Sequence, residues 1–303
     1  MGDGPQEATR VRRFVYLLAA IVFLGACSPG KSPAQFKAKD SPPQRIVSLL
    51  ILGDELLWQF GPRVQKRVVG ISHLADDPRF SGVVGRWPND VSRLRVQTES
   101  ILALQPDLVL AASFSSPEVL ALLRQAGIPL LVFEGFNSFA ELRQNIDMLG
   151  EALHEQGEAK RWMDRLDQEL EKLKAEPLAG NGRILSWADG MVAGRGTTLD
   201  DASKLVGLEN IASSGGIKGY KRVTLEQVVL WDPDWLVIGC VAEACQDGIA
   251  ALQSTPGLSS LRAVQHHRYL KVPGQILSST GWDLLRLAQA LSEQVRPDLK
   301  AAP

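Results

Sequence analysis

The chain has 303 residues, 45% apolar and 22% charged, with a formal net charge of −1. That composition suits a globular protein with a sizeable core and room for two domains. It excludes a disordered chain, which combines low hydropathy with high net charge, and near-neutrality argues against a nucleic-acid binder, whose binding face carries a basic excess.

Arg10, Arg12 and Arg13 precede an apolar run from Phe14 to Leu24. As a helix this run spans about 16 Å at about 1.5 Å per residue. It is too short for a bilayer core of about 30 Å but fits the core of a signal peptide. Leu24-Gly25-Ala26-Cys27 follows. Small residues ahead of a cysteine resemble the lipobox of bacterial lipoproteins, which implies that Cys27 carries the lipid and becomes the N-terminus. The alternatives are an uncut signal anchor, or an ordinary signal peptide with a chance cysteine. Asp3 and Glu7 are unusual in such a leader and point to a start codon downstream of Met1. Residues 1–26 are thus read as leader, and the Pro-, Ser- and Lys-rich stretch 27–43 as a flexible tether.

Residues 44–137 read as an α/β lobe. Its strand candidates are Arg45–Leu50, Val68–Ser72, Asp107–Ala112 and Pro129–Glu134. They are aliphatic runs without alternation, as in parallel strands covered on both faces. Ser116-Pro117 opens one of the intervening helices and Gly127 closes it. Residues 138–177 read as one long linking helix. Ser138 and Glu141 form a capping box at its start, and Leu142, Ile146, Leu149, Leu153, Trp162, Leu166, Leu170 and Leu173 form an apolar stripe. Gly157 marks a candidate kink or break. Residues 178–303 read as a second α/β lobe with strands Arg183–Ala188, Trp235–Cys240 and Arg268–Pro273. Thr198, Thr224 and Thr280 open capping-box signatures.

The segment from Glu99 to Leu110 recurs from Glu226 to Val237. Each copy reads Glu, one residue, two aliphatics, three residues, Pro-Asp, then an aliphatic strand. The physics predicts a short helix stopped by a Pro-Asp turn that feeds a central strand. One copy per lobe implies two related lobes.

On these residues the chain resembles the class III substrate-binding proteins of ATP-driven importers, the kind that take cobalamin, ferric siderophores and haem. The likeness covers roughly Gln44 to Asp298. It is carried by Arg45-Ile46-Val47-Ser48, Val69-Gly70-Ile71-Ser72 and both Glu…Pro-Asp modules. Gly196 to Asp201, Gly207-Leu208-Glu209-Asn210 and Val272-Pro273-Gly274 add to it. The resemblance implies two Rossmann-like α/β lobes joined by one long rigid helix, with ligand in the cleft between them. It also implies that Glu99 and Glu226 dock onto arginines of a permease, which a carboxylate suits. The alternative is a helix N-terminal acid that favours the dipole.

A cleft of this kind is lined by loops at the carboxyl ends of strands. Those loops carry His73, Arg86, Trp87, Phe114, Trp187, Tyr220 and Trp282. By resemblance, Trp187 and Tyr220 match aromatic pocket positions of cobalamin-binding members. Ala112 and Ser113 depart from the pattern where a tryptophan is expected, and Gln275–Thr280 has no aromatic ring. His73 and Tyr220 are candidates for axial ligation of a haem iron. Arg86 could meet an anionic siderophore or a propionate. Four histidines without zinc spacing argue against a bare metal ion. There is no Gly-x-Ser-x-Gly elbow, phosphate-binding glycine loop or His-Glu-x-x-His, so no enzyme and no resident cofactor is expected.

With Cys27 on lipid, Cys240 and Cys245 remain in an oxidising compartment and are expected to bridge across a short loop. The reading is an envelope receptor, monomeric and lipid-anchored, facing periplasm or exterior. It binds an iron–siderophore complex or cobalamin and delivers it to an ABC permease and its ATPase; haem is the alternative cargo. An envelope hydrolase or a non-transport lipoprotein scaffold is the alternative of another class.

Overall fold

The computed structural model describes residues 40–176, 178, 182–240, 245–277 and 279–301. Cys27, the leader and most of the tether lie outside these.

Two parallel sheets organise the chain. The first contains β1 (Ile46–Ser48), β2 (Val68–Ser72), β3 (Ser92–Leu94), β4 (Leu108–Ala112) and β5 (Leu130–Phe133), in the order β3-β2-β1-β4-β5. The second holds β6 (Arg183–Ser186), β8 (Glu209–Asn210), β10 (Trp235–Cys240) and β11 (Tyr269–Pro273), in the order β11-β10-β6-β8. Strands β7 (Met191–Ala193) and β9 (Tyr220–Arg222) make a separate antiparallel ribbon. The aliphatic runs are buried on both faces, as parallel strands must be.

The internal repeat is physical. In the first sheet the Asp107 carboxylate accepts the backbone N–H groups of Gln44 and Arg45, at 2.7 and 2.8 Å. In the second, Asp234 accepts the N–H of Arg183 at 2.9 Å. Arg45 donates to the carbonyl of Leu104, and Arg183 to that of Trp231. These carbonyls end the short helices α3 (Thr98–Ala103) and α9 (Leu225–Trp231). Gln105 and Asp232, each just before the proline, both take a positive φ, 46° and 41°. The strand pairing is equivalent as well: Ile46 faces Leu108, and Ile184 faces Trp235. Each Pro-Asp turn therefore ends a helix and pins the first strand of its sheet. The repeat also includes Arg45-Ile46-Val47-Ser48 and Arg183-Ile184-Leu185-Ser186, a second half that the Glu-to-Pro spacing alone does not reveal.

The linking segment is two helices, which corrects the single helix expected over 138–177. Helix α5 (Phe139–Leu153) starts at Ser138, whose hydroxyl accepts the Glu141 N–H. It ends where His154 turns left-handed, with φ of 58°, and Glu155 N–H reaches back to the Gly150 carbonyl. Helix α6 (Gln156–Ala175) begins at once. The break precedes Gly157, because His154 supplies the left-handed C-cap itself. Gly150 is needed at the crossing, since a Cβ there would lie 2.4 Å from the Cβ of Ala159. At 20 residues, α6 is a strut of about 30 Å.

The remaining helices used below are α1 (Ile51–Gln59), α7 (Thr198–Leu205), α10 (Gln246–Ser254) and α13 (Asp283–Ala301). Thr197, not Thr198, caps α7, its hydroxyl accepting the Asp200 N–H. One apolar core runs from β1, β4 and β5 through α5, α6 and α13 into β6, β10 and β11. The outer face of each sheet has a smaller core of its own.

Candidate functional site

A cavity of about 950 Å³ opens at the carboxyl end of the second sheet. Its floor is Val237, Ile238 and Gly239 of β10; one wall is the β7–β9 ribbon, and the other is α10 with Gly248, Ala251 and Leu252. The ribbon is aimed by a two-residue turn, Asp189-Gly190, in which both residues have positive φ. Asp-Gly is the pair such hairpin turns favour, a signal present in the sequence itself. Arg222 on β9 donates to the Asp189 carbonyl at 2.7 Å, which ties the turn to the ribbon. A disulfide joins Cys240 to Cys245, with Cα atoms 4.6 Å apart. It anchors the start of α10 to the end of β10 and so holds the wall that α10 provides.

Trp187 and Tyr220 both line this cavity. Tyr220 stands 59% exposed at its edge. The other sequence-derived ligand candidates lie elsewhere. Phe114, 77% exposed just past β4, leans on Phe136 with ring centroids 5.1 Å apart. That pair marks the carboxyl end of the first sheet. His73 is half-buried, with Nδ1 3.3 Å from the Leu94 carbonyl. It does not line the cavity with Tyr220, so the two do not form an axial pair there. Trp87 is 2% exposed and packs edge-on against Trp58 at 5.2 Å. Trp282 packs edge-on against Trp162 of α6 at 4.9 Å. Both are packing rings, each set edge-on against another tryptophan. Arg86 is exposed and faces carboxylates rather than the cavity.

Those carboxylates escaped the sequence reading. Glu55 on α1 and Asp283 at the start of α13 are each 7% exposed. Glu55 accepts the Gly82 N–H at 2.9 Å, and Asp283 pairs with Arg286 at 3.0 Å. Both carboxylates crowd Gly82, where an added Cβ would lie 3.2 Å from Glu55 and 3.0 Å from Asp283. Burial, with some help from Asp283, pushes the Glu55 carboxyl up to about 7, against Gly82, Arg286 and Arg86. Burial also raises Asp283, opposed by Arg286 and Arg86. Neighbouring Asp54 is fully buried, and burial raises it well above the usual carboxylate range. One of its oxygens has no partner among the described residues. The available signal was two acids inside the otherwise apolar Ile51–Leu57.

Glu99 and Glu226 are exposed second residues of α3 and α9. Each is followed three positions later by an exposed aliphatic, Leu102 or Val229. The Glu226 carboxyl is held below its usual range by its own backbone N–H and the Thr224 hydroxyl.

A family model described as periplasmic binding protein matches residues 54–275. YvrC, an ABC transporter substrate-binding lipoprotein of Bacillus subtilis, is 26% identical over 314 residues, covering 93% of this chain and 95% of that protein. A cobalamin-binding protein of Halobacterium salinarum is 27% identical over 222 residues, covering 70% of this chain and 58% of that one. The solved periplasmic haem-binding protein HutB of Vibrio cholerae is similar in fold, with a TM-score of 0.72 at 23% identity, covering 84% of this chain and 99% of that one.

Proposed function

This chain belongs to the periplasmic binding protein family, and from that premise we propose that it is the extracytoplasmic solute receptor of an ABC importer for a metal chelate. It is a binding protein and not an enzyme. The observation that carries the reading is the cavity at the carboxyl end of the second sheet, edged by Trp187 and Tyr220. The exposed Phe114 ring at the matching end of the first sheet, leaning on half-buried Phe136, supports it. Aromatic walls suit large planar ligands because they bury area at little entropic cost. An iron–siderophore complex or cobalamin is the cargo; haem is the second reading, favoured by the exposed Tyr220 phenol at the cavity edge. Cys27 holds the protein to the membrane through lipid. Glu99 and Glu226 dock the two lobes onto arginines of the permease, whose ATPase supplies the energy.

The test is titration of the purified protein with ferrioxamine B, ferric enterobactin, cyanocobalamin and haemin, followed by tryptophan quenching and visible spectra. Saturable binding of one of them, weakened by Trp187→Ala, is expected. A haem cargo would give a Soret band that weakens in Tyr220→Ala. Absence of binding to all four would overturn the proposal.

A further inference from the structure

The cavity belongs to one lobe. All its lining residues fall between Ser186 and Leu277, so the first lobe contributes none. Its inner end is made of buried Val192, Val237 and Leu252. Among the described residues, the only acidic or basic side chains in the lining are Asp189 and Arg222. Their side chains are 101% and 68% exposed, which places them at the mouth. Of the four lining hydroxyls, the Tyr220 phenol stands at the exposed edge, and the other three make hydrogen bonds of their own. Ser186 accepts the Ala193 N–H, Thr224 accepts the Gln227 N–H, and Thr255 donates to the Ala251 carbonyl. Among the described residues, the inner end thus offers mainly apolar contact. An apolar group gains by leaving water there, whereas a charged or hydroxyl-rich group would lose its hydration and find no replacement.

We infer that the cargo is amphipathic: it inserts an uncharged, ring-bearing apolar part into the second lobe alone and leaves its polar or acidic edge at the Asp189–Arg222 mouth. This rests on the receptor reading above and narrows it. Chelates whose whole surface is hydrophilic do not fit, because no part of them can occupy the inner end.

Protoporphyrin IX, flat and apolar with two carboxylates on one edge, and ferrioxamine B, a hydrophilic hydroxamate, serve as probes on the purified protein. Ala251 is exposed on α10 and lines the cavity, so Ala251→Phe narrows it without disturbing a packed core. Ala250→Phe, exposed on the same helix and outside the lining, is the control. Thermal melts check that each variant folds. Protoporphyrin IX should bind the native protein and Ala250→Phe alike, and at least tenfold more weakly to Ala251→Phe. Unchanged affinity in Ala251→Phe, or no binding of protoporphyrin IX at all, overturns the inference. Tight binding of ferrioxamine B that ignores Ala251→Phe also overturns it while leaving the receptor reading intact. Cavity-sensitive binding of protoporphyrin IX, with none of the metal chelates bound, supports the apolar site and removes the receptor reading.

Discussion

Glu55→Gln should stabilise the protein above neutral pH and change little in acid. The Glu55 carboxyl is raised from 4.5 to about 7 in the folded state, chiefly by burial. Between those values the folded protein keeps a proton that the unfolded chain has released, so stability falls as pH rises through that window. Above about 7 the loss is complete and constant. At about 1.4 kcal/mol per pKa unit, the loss is on the order of 3 kcal/mol. A glutamine keeps the oxygen that accepts the Gly82 N–H and carries no charge to desolvate. Urea denaturation at pH 5 and pH 8 measures this directly. The native protein should lose on the order of 3 kcal/mol between the two, and the variant a good deal less. A residual slope is expected from Asp54 and Asp283, whose carboxyls are raised by burial too. The reasoning is refuted if both proteins show the same pH dependence, or if the variant is destabilised equally at both pH values. Either outcome would mean that the buried charge is not what the fold works against.

Asp107→Ala should cost about 1.5–3 kcal/mol, since two backbone N–H groups lose a charged acceptor. Asp234→Ala should act in the same direction at the equivalent turn, and urea melts compare the two. Replacing Cys240 and Cys245 with serine should cost up to a few kcal/mol and speed amide exchange in α10, measured by hydrogen–deuterium exchange; unchanged exchange would separate the bridge from that wall. Reversing both Glu99 and Glu226 to lysine should abolish uptake in cells while ligand affinity in solution stays the same, and lost affinity would contradict a docking role. Cys27→Ser should release the protein from the membrane fraction and remove incorporation of labelled fatty acid.

The repeated turns show why so much of the fold was legible. Proline stops a helix, aspartate reaches a backbone N–H, and the aliphatic run that follows can only be buried; each step depends on neighbours in sequence. The same holds for the capping boxes at Ser138 and Thr224, and Thr197 rather than Thr198 supplies a third. The helix break was less legible, because a glycine was the obvious candidate and a histidine took the left-handed position. The aromatic assignments divided for a different reason. Trp87 and Trp187 both follow strands, yet one packs on Trp58 and the other edges a cavity. Nothing local distinguishes them, since each ring's burial depends on what a distant segment places beside it.

By itself the amino-acid sequence determined the two parallel sheets, their shared Pro-Asp turns and the exposed glutamates at the start of two short helices. These follow from periodicity, backbone restrictions and local hydrogen bonding, which act over a few residues. Only the tertiary structure decided that the cavity lies within the second lobe and that Glu55 meets Asp283 against Gly82. Those outcomes join residues tens to hundreds of positions apart, and their energies come from packing and desolvation, which exist only once the lobes have closed around them.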